Sequence, residues 1–189
     1  LRPLFPELRL VLVPRHPERF YAVAEMLTRS GVPWQRRSEL PAGLAPSKGD
    51  VHASGPPPRV LLVDAVGELG AWWGTAHIAF VGGSLGQRGG QNMIEPSAYG
   101  AAVAFGPNTW NFRDVVAQLL AREAAIVVRD GGELTGFVRE MLENSQRRTA
   151  LGQRAQQLVQ QQQGAADRTI DLLDRLVIHS SQGAGRHAA

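Results

Sequence analysis

Cysteine is absent from this 189-residue sequence, which excludes disulfides and thiol chemistry and fits a cytosolic compartment. Lysine is nearly absent: of the 20 basic residues, only Lys48 is not arginine, so the pI of 10.1 reflects the choice of base more than the formal charge of +3. The arginines are scattered, with no long basic run and no aromatic-interleaved patch of the kind that tracks nucleic acid. No window approaches the roughly 18 uninterrupted apolar residues of a membrane span. The start, Leu1-Arg2-Pro3, lacks a cationic segment followed by an apolar one, so no signal peptide is expected. Leu1 is not a natural start either, and the chain is expected to be the downstream part of a longer protein. The five histidines are far apart and form no HxxxH or HxH pair, so no metal is expected. There is no GxSxG elbow, no Gly-Lys-Ser/Thr after a glycine loop, and no GxGxxG after the first strand.

What is present is an alternation of short apolar runs and helical periodicities. Leu8 to Val13 is a branched, compact run ended by Pro14 and predicts a buried parallel strand. Pro17 then opens a helix on which Phe20, Val23, Ala24 and Leu27 share a face, ended by Gly31. Val32 to Arg36 is a second strand, completing a β-α-β unit. Positions 38 to 58 carry five of the 12 prolines and little periodicity, and are expected to be a loop insertion. Arg59 to Val63 predicts a third strand, and Gly67 to Ala76 a short helix with Leu69, Trp72 and Trp73 on its packed side. His77 to Val81 and Ala101 to Phe105 are strands on either side of a glycine-rich stretch with a helix beginning near Asn92. Asn111 to Arg122 is amphipathic, Ala125 to Val128 is a last strand, and Asp130-Gly131-Gly132 reads as a turn before a helix from Leu134 to Leu142. From Gln146 to Leu176 the pattern is helical with a break near Gly164, and 179–189 has the composition of a frayed terminus. The fold class is α/β: a Rossmann-like, doubly wound, mostly parallel six-stranded sheet with terminal helices, forming one domain over 1–178.

Four candidate ligand segments follow strands, at the carboxyl edge where such folds bind anions. Pro14-Arg15 could present a guanidinium to a phosphate or carboxylate, or Arg15 is a surface arginine after a turn. His16 between two prolines reads as a turn residue. In Val66-Gly67-Glu68 the chain enters a helix, so its free amides could receive an anion or a base edge, and Glu68 a nucleoside hydroxyl. Gly82-Gly83-Ser84 lets a ligand approach the backbone closely, and Arg88, between glycines, is a plausible anion contact. At Asn92-Met93-Ile94-Glu95 there are two readings. One is a capping box, Asn92 bonding the amide three residues on and Glu95 reaching back. The other has Glu95 accept both hydroxyls of a ribose, with Pro96 at the first helical position.

Six of these stretches together resemble one family. They are PRHPERF at Pro14 to Phe20, RRS at Arg36 to Ser38, GELG at Gly67 to Gly70 and AFVGGSL at Ala79 to Leu85. RGGQNMIEPSAYG at Arg88 to Gly100 and FGPNTWNF at Phe105 to Phe112 complete the set. In this order they are similar to the carboxyl-terminal domain of 3-deoxy-D-manno-octulosonic acid (Kdo) transferases, over about Leu8 to Leu176. The resemblance implies a metal-independent, inverting glycosyltransferase of the two-domain GT-B type, without a cofactor. Its carboxyl-terminal half binds the donor CMP-Kdo, and its amino-terminal half binds the lipid A precursor at the cytoplasmic face of the inner membrane. By motif, Pro14-Arg15, Val66-Gly67-Glu68 and Asn92 to Glu95 would hold the CMP part, with Gly83 and Ser84 in the glycine loop. The resemblance places the general base, a glutamate, on the amino-terminal domain, outside this sequence, and implies that this half alone is soluble and inactive. The family usually has His-Asn-Pro where this chain has Gln91-Asn92-Met93, and often Thr-Met-Gly-Glu where it has Ala65-Val66-Gly67-Glu68. Asn92, Gly67 and Glu68 are kept, so donor binding is expected to survive. The competing readings are a UDP-sugar-dependent GT-B enzyme or epimerase, and a non-catalytic, arginine-rich nucleic-acid-binding domain.

Overall fold

Parallel strands of three or four residues alternate with helices along the whole described chain. A computed structural model describes residues 1, 3–40 and 58–164. Most of the expected loop insertion, the domain end at 178 and the tail 179–189 lie outside these residues. The described chain falls into two compact units, one from Leu1 to Thr75 and one from Ala76 onward.

In the first unit the strands are β1 (Leu10–Leu12), β2 (Trp34–Arg36) and β3 (Val60–Leu62), in the order β1-β3-β2. The strands flanking helix α1 (Phe20–Arg29) are therefore not hydrogen-bonded neighbours, since β3 pairs with both. A single 3₁₀ turn, Pro17–Arg19, leads into α1, with proline at a position whose amide has no helical partner anyway. Ala24 and Leu27 of α1 pack on Val60 and Leu62, with Leu12, Val23, Val32 and Trp34 around them. Helix α2 (Leu69–Trp73) is shorter than the Gly67 to Ala76 span that the composition suggests.

In the second unit β4 (Ile78–Val81), β5 (Ala102–Phe105) and β6 (Ala125–Val127) form a parallel sheet in sequence order. All four residues of β5 are buried, as a central strand covered on both faces must be. Helices α4 (Arg113–Ala121), α5 (Gly131–Glu143) and α6 (Ser145–Gln163) accompany the sheet, and the short α3 (Ile94–Ala98) precedes β5. Phe137 and Met141 of α5 and Leu151 of α6 pack on Ala102 and Ala104 of β5, whose small side chains admit them. Asp130-Gly131-Gly132 is not a free turn. Asp130 is the N-cap of α5, accepting from the Glu133 amide at 2.8 Å, so both glycines belong to the first turn. Residues Gln160, Gln161 and Gln162 are exposed, as a short glutamine face should be; Gln161 accepts a bond from Arg122 at 2.8 Å, and Gln162 donates to Gln118. The α/β class with six parallel strands stands, and the six are arranged as two three-stranded sheets.

Candidate functional site

Because the strands of each sheet are parallel, the segments that follow them emerge on one edge of that sheet. In the first unit this edge collects the residues after β1, β2 and β3. The register pairs Arg36 with Leu62, so the chain leaving β2 runs beside the chain leaving β3. Three consecutive residues then reach across. Arg36 donates from Nη1 to Asp64 Oδ2 at 3.3 Å and its guanidinium stacks over Trp34, 5.7 Å from the ring centre. Arg37 donates from Nε to Glu68 Oε2 at 3.0 Å, and Ser38 gives Asp64 its hydroxyl at 2.7 Å and its amide at 2.9 Å. Trp72 adds its indole N–H to Glu68 Oε2 at 3.3 Å.

Asp64 is the hub of this edge, with a side chain only 7% exposed. Burial pushes its carboxyl up, but the hydrogen bonds from the Ser38 hydroxyl and amide, from Arg36 and from its own backbone outweigh burial and leave it below the ordinary carboxylate value. A depressed carboxylate stabilises the fold above its unfolded value and loses that contribution as pH falls through the folded one. The stability of the wild-type chain should therefore exceed that of Asp64→Asn at neutral pH, and the gap should close as pH drops below about 4. Urea midpoints of both proteins across this range check it; a gap independent of pH would refute it.

Val66 and Gly67 are exposed between these anchors, and Gly67 has φ of 91°. Arg15 is exposed just past β1, and Pro14 is half-buried beside it. Val66, Gly67, Glu68, Pro14 and Arg15 thus all follow carboxyl ends of strands of this one sheet.

In the second unit the loops after β4 and β5 are stapled to each other. The Ser84 hydroxyl donates to the Val81 carbonyl at 2.6 Å and accepts the Gly106 amide at 2.8 Å, with the residue wholly buried. The Asn108 amide donates to the Ser84 carbonyl at 3.0 Å, and the Asn111 side chain donates to the Arg88 carbonyl at 3.0 Å. The Asn111 amide bonds the Gly89 carbonyl at 3.2 Å, and Gly90 donates to Gly83 at 3.1 Å. Gly89, with φ of 78°, faces Trp110 and Asn111 so closely that a Cβ there would strike both side chains. The FGPNTWNF stretch, read in the sequence only as part of a resemblance, is therefore what fixes the glycine loop. Gln91 packs beneath that loop: a Cβ on Gly83 would lie 3.3 Å from its side-chain nitrogen.

The helix start at Asn92 corrects the capping-box reading. Met93, not Asn92, is the N-cap of α3; Asn92 Oδ1 accepts the amide two residues on, Ile94, at 3.0 Å. Glu95 does not reach back to the backbone. Its Oε1 accepts from Asn92 Nδ2 at 3.0 Å, while among the described residues no hydrogen bond reaches Oε2. Pro96 is the third helical residue, not the first, and is tolerated there because the first-turn amides have no helical acceptors. Two candidates cannot touch a ligand with their side chains. Met93 is fully buried in the core, and the Ser84 hydroxyl is used up inside the loop, so both could serve only through backbone. Ile94 is half-buried. Arg36-Arg37-Ser38, quoted above only as part of the resemblance, was not among the candidate ligand segments; the signal for it was a run of polar residues at the end of β2 and just beyond it.

Among the described residues, no group of three or more His, Cys, Asp or Glu is placed to hold a metal ion, and no helix is long and apolar enough to cross a membrane.

Parallel strands alternating with helices in each unit make this the Rossmann-like α/β class of domain that forms the carboxyl-terminal half of GT-B glycosyltransferases. The solved structure of the C-terminal CMP-Kdo binding domain of WaaA from Acinetobacter baumannii matches it with a TM-score of 0.71 and 30% identity, over 85% of this chain and 79% of that one. The 3-deoxy-D-manno-octulosonic acid transferases of Bordetella pertussis and Haemophilus influenzae are each 36% identical to it over 89% of the chain and 37% of their own length. A bifunctional glycosyltransferase/methyltransferase of Fusobacterium nucleatum is 30% identical over 71% of the chain and 20% of its length. No family model matches the chain. The chain belongs to the 3-deoxy-D-manno-octulosonic acid transferase family, and it spans little more than a third, 37%, of the length of the Bordetella and Haemophilus transferases.

Proposed function

We propose that this chain is the donor-binding half of a glycosyltransferase that moves Kdo from CMP-Kdo to the lipid A precursor, in lipopolysaccharide synthesis at the cytoplasmic face of the inner membrane. The observation that carries this reading is the likeness, in fold and sequence, to a domain described as binding CMP-Kdo. The described geometry suits a nucleotide. Glu95 has one carboxylate oxygen held by Asn92, and among the described residues no hydrogen bond reaches the other, an arrangement suited to accepting hydrogen bonds from ribose hydroxyls. In the first unit, Arg15 is exposed at the carboxyl end of a strand, where a guanidinium can meet a phosphate.

In the proposed reaction an acceptor hydroxyl attacks the anomeric carbon of the donor, the bond from that carbon to the CMP phosphate oxygen breaks, and the configuration inverts. The residues of this chain would bind the nucleotide and steady the departing phosphate, a task for fixed donors rather than for acid or base groups. No metal and no cofactor are proposed. The base that takes the hydroxyl proton belongs, on the family resemblance, to another domain. Calorimetry of the chain with CMP and with UDP tests the reading. CMP is expected to bind weakly but at least about tenfold more tightly than UDP, a difference of about 1.4 kcal/mol. A preference for UDP would overturn the reading in favour of a UDP-sugar enzyme. Steeply salt-dependent binding to generic DNA with no response to CMP would overturn it in favour of nucleic-acid binding.

A further inference from the structure

All three side chains of Arg36-Arg37-Ser38 are spent on the turn that follows β3, but they do different things there. Arg36 and Ser38 serve Asp64, whose carboxylate is nearly buried and takes three hydrogen bonds on its two oxygens. Arg37 serves Glu68, and the pattern on that carboxylate is lopsided. Arg37 Nε at 3.0 Å and Trp72 Nε1 at 3.3 Å both bond Oε2, and among the described residues no hydrogen bond reaches Oε1. The side chains of Arg37 and Glu68 keep 25% and 33% of their exposure, so the pair is too wet to add much to stability. What the two donors do accomplish is geometric. A glutamate on a helix N-terminus has three rotatable bonds to order, and pinning one oxygen leaves the other aimed in a fixed direction. The Arg37 charge also balances the carboxylate locally, so the open oxygen suits a neutral O–H or N–H donor better than a second cation.

Resting on the nucleotide-binding reading, we propose that Arg37 and Trp72 are positioning residues that hold Glu68 so that its Oε1 accepts a hydrogen bond from the nucleoside of the donor substrate. The partner is either a ribose hydroxyl or the exocyclic amino group of cytosine, both neutral hydrogen-bond donors. Glu68 touches the ligand; Arg37 and Trp72 act only through it.

A double-mutant cycle read by calorimetry with CMP tests this. Glu68→Ala and Arg37→Ala should each weaken CMP binding about tenfold, the worth of one hydrogen bond to a charged group. The double variant should bind no more weakly than Glu68→Ala alone, because Arg37 has nothing left to position. Trp72→Phe, which keeps the ring and removes the N–H, should cost a smaller factor, about threefold. Arg37→Gln, with a neutral amide still able to donate, should recover part of the affinity that Arg37→Ala loses. A merely structural Arg37 would instead give losses that multiply in the double variant, and this overturns the proposal, as would Arg37→Ala binding CMP like wild type. Comparing CMP with UMP and with 2′-deoxy-CMP separates the two partners: the Glu68→Ala loss vanishes against whichever ligand lacks the recognised group. If the wild-type chain fails to bind CMP at all, the nucleotide reading itself is overturned, an outcome distinct from intact CMP binding that ignores Arg37.

Discussion

Gly152→Ala is expected to destabilise the protein by about 3 kcal/mol, although the substitution lies inside a helix. Helix propensity alone points the other way, since alanine is favoured over glycine in a helix interior by about 1 kcal/mol. The tertiary contact decides the sign. Gly152 sits on α6 where that helix crosses the end of α3, and a Cβ there would collide with the carbonyl oxygen of Gly100 and lie 2.8 Å from its carbon. Both colliding groups are backbone, so no rotamer change relieves the overlap, and α6 must move off the segment leading into β5. The same crossing is tied by Gln156, which donates to the Ala98 carbonyl at 3.0 Å and would be strained as well. Gly136 on α5 is the control, because a Cβ there meets nothing within 4 Å. Gly136→Ala should stabilise by up to about 1 kcal/mol. Urea unfolding of both variants checks the pair, and a Gly152→Ala protein more stable than wild type would show that the helices do not approach this closely.

The second large effect is on binding. Glu95→Ala is expected to weaken CMP by about thirtyfold, about 2 kcal/mol for hydrogen bonds to a charged group, with little change in stability. Asn92→Ala should cost less, because it removes the hydrogen bond that holds Glu95 Oε1 but leaves the carboxylate in place. Titration calorimetry of the three proteins measures the order. Equal affinity of wild type and Glu95→Ala for CMP would remove Glu95 from the proposed site.

Much of the fold is legible in the sequence. Ala101 to Phe105 is apolar without alternation, and the buried central strand β5 is what such a run calls for; Leu8 to Val13, read the same way, instead forms β1, an edge strand with none of its residues buried. The parallel α/β class followed from their alternation with helical periodicities. The glycine loop and Asn92 to Glu95 could be picked out because candidate ligand groups gather after strand ends. Motif order carried the family resemblance, which the similarity to Kdo transferases bears out.

Three things needed the tertiary structure. Strand adjacency is one: nothing local in β1, β2 and β3 says that the last of them pairs with both others, since each strand of three residues could accept any neighbour. Side-chain direction is another. Ser84 and Met93 belong to candidate ligand stretches, yet one closes a loop and the other fills the core, because the backbone turns them inward. The last is pairing between distant residues. Arg37 and Glu68 are 31 positions apart, and Asn111 and Arg88 are 23 apart, so no local pattern announces them. The sequence by itself determined which elements form, because local propensity and hydrophobic period act over a few residues. The tertiary structure decided which polar groups are spent on the fold and which oxygens of Glu68 and Glu95 accept hydrogen bonds among the described residues, because that depends on what packing brings together in each unit.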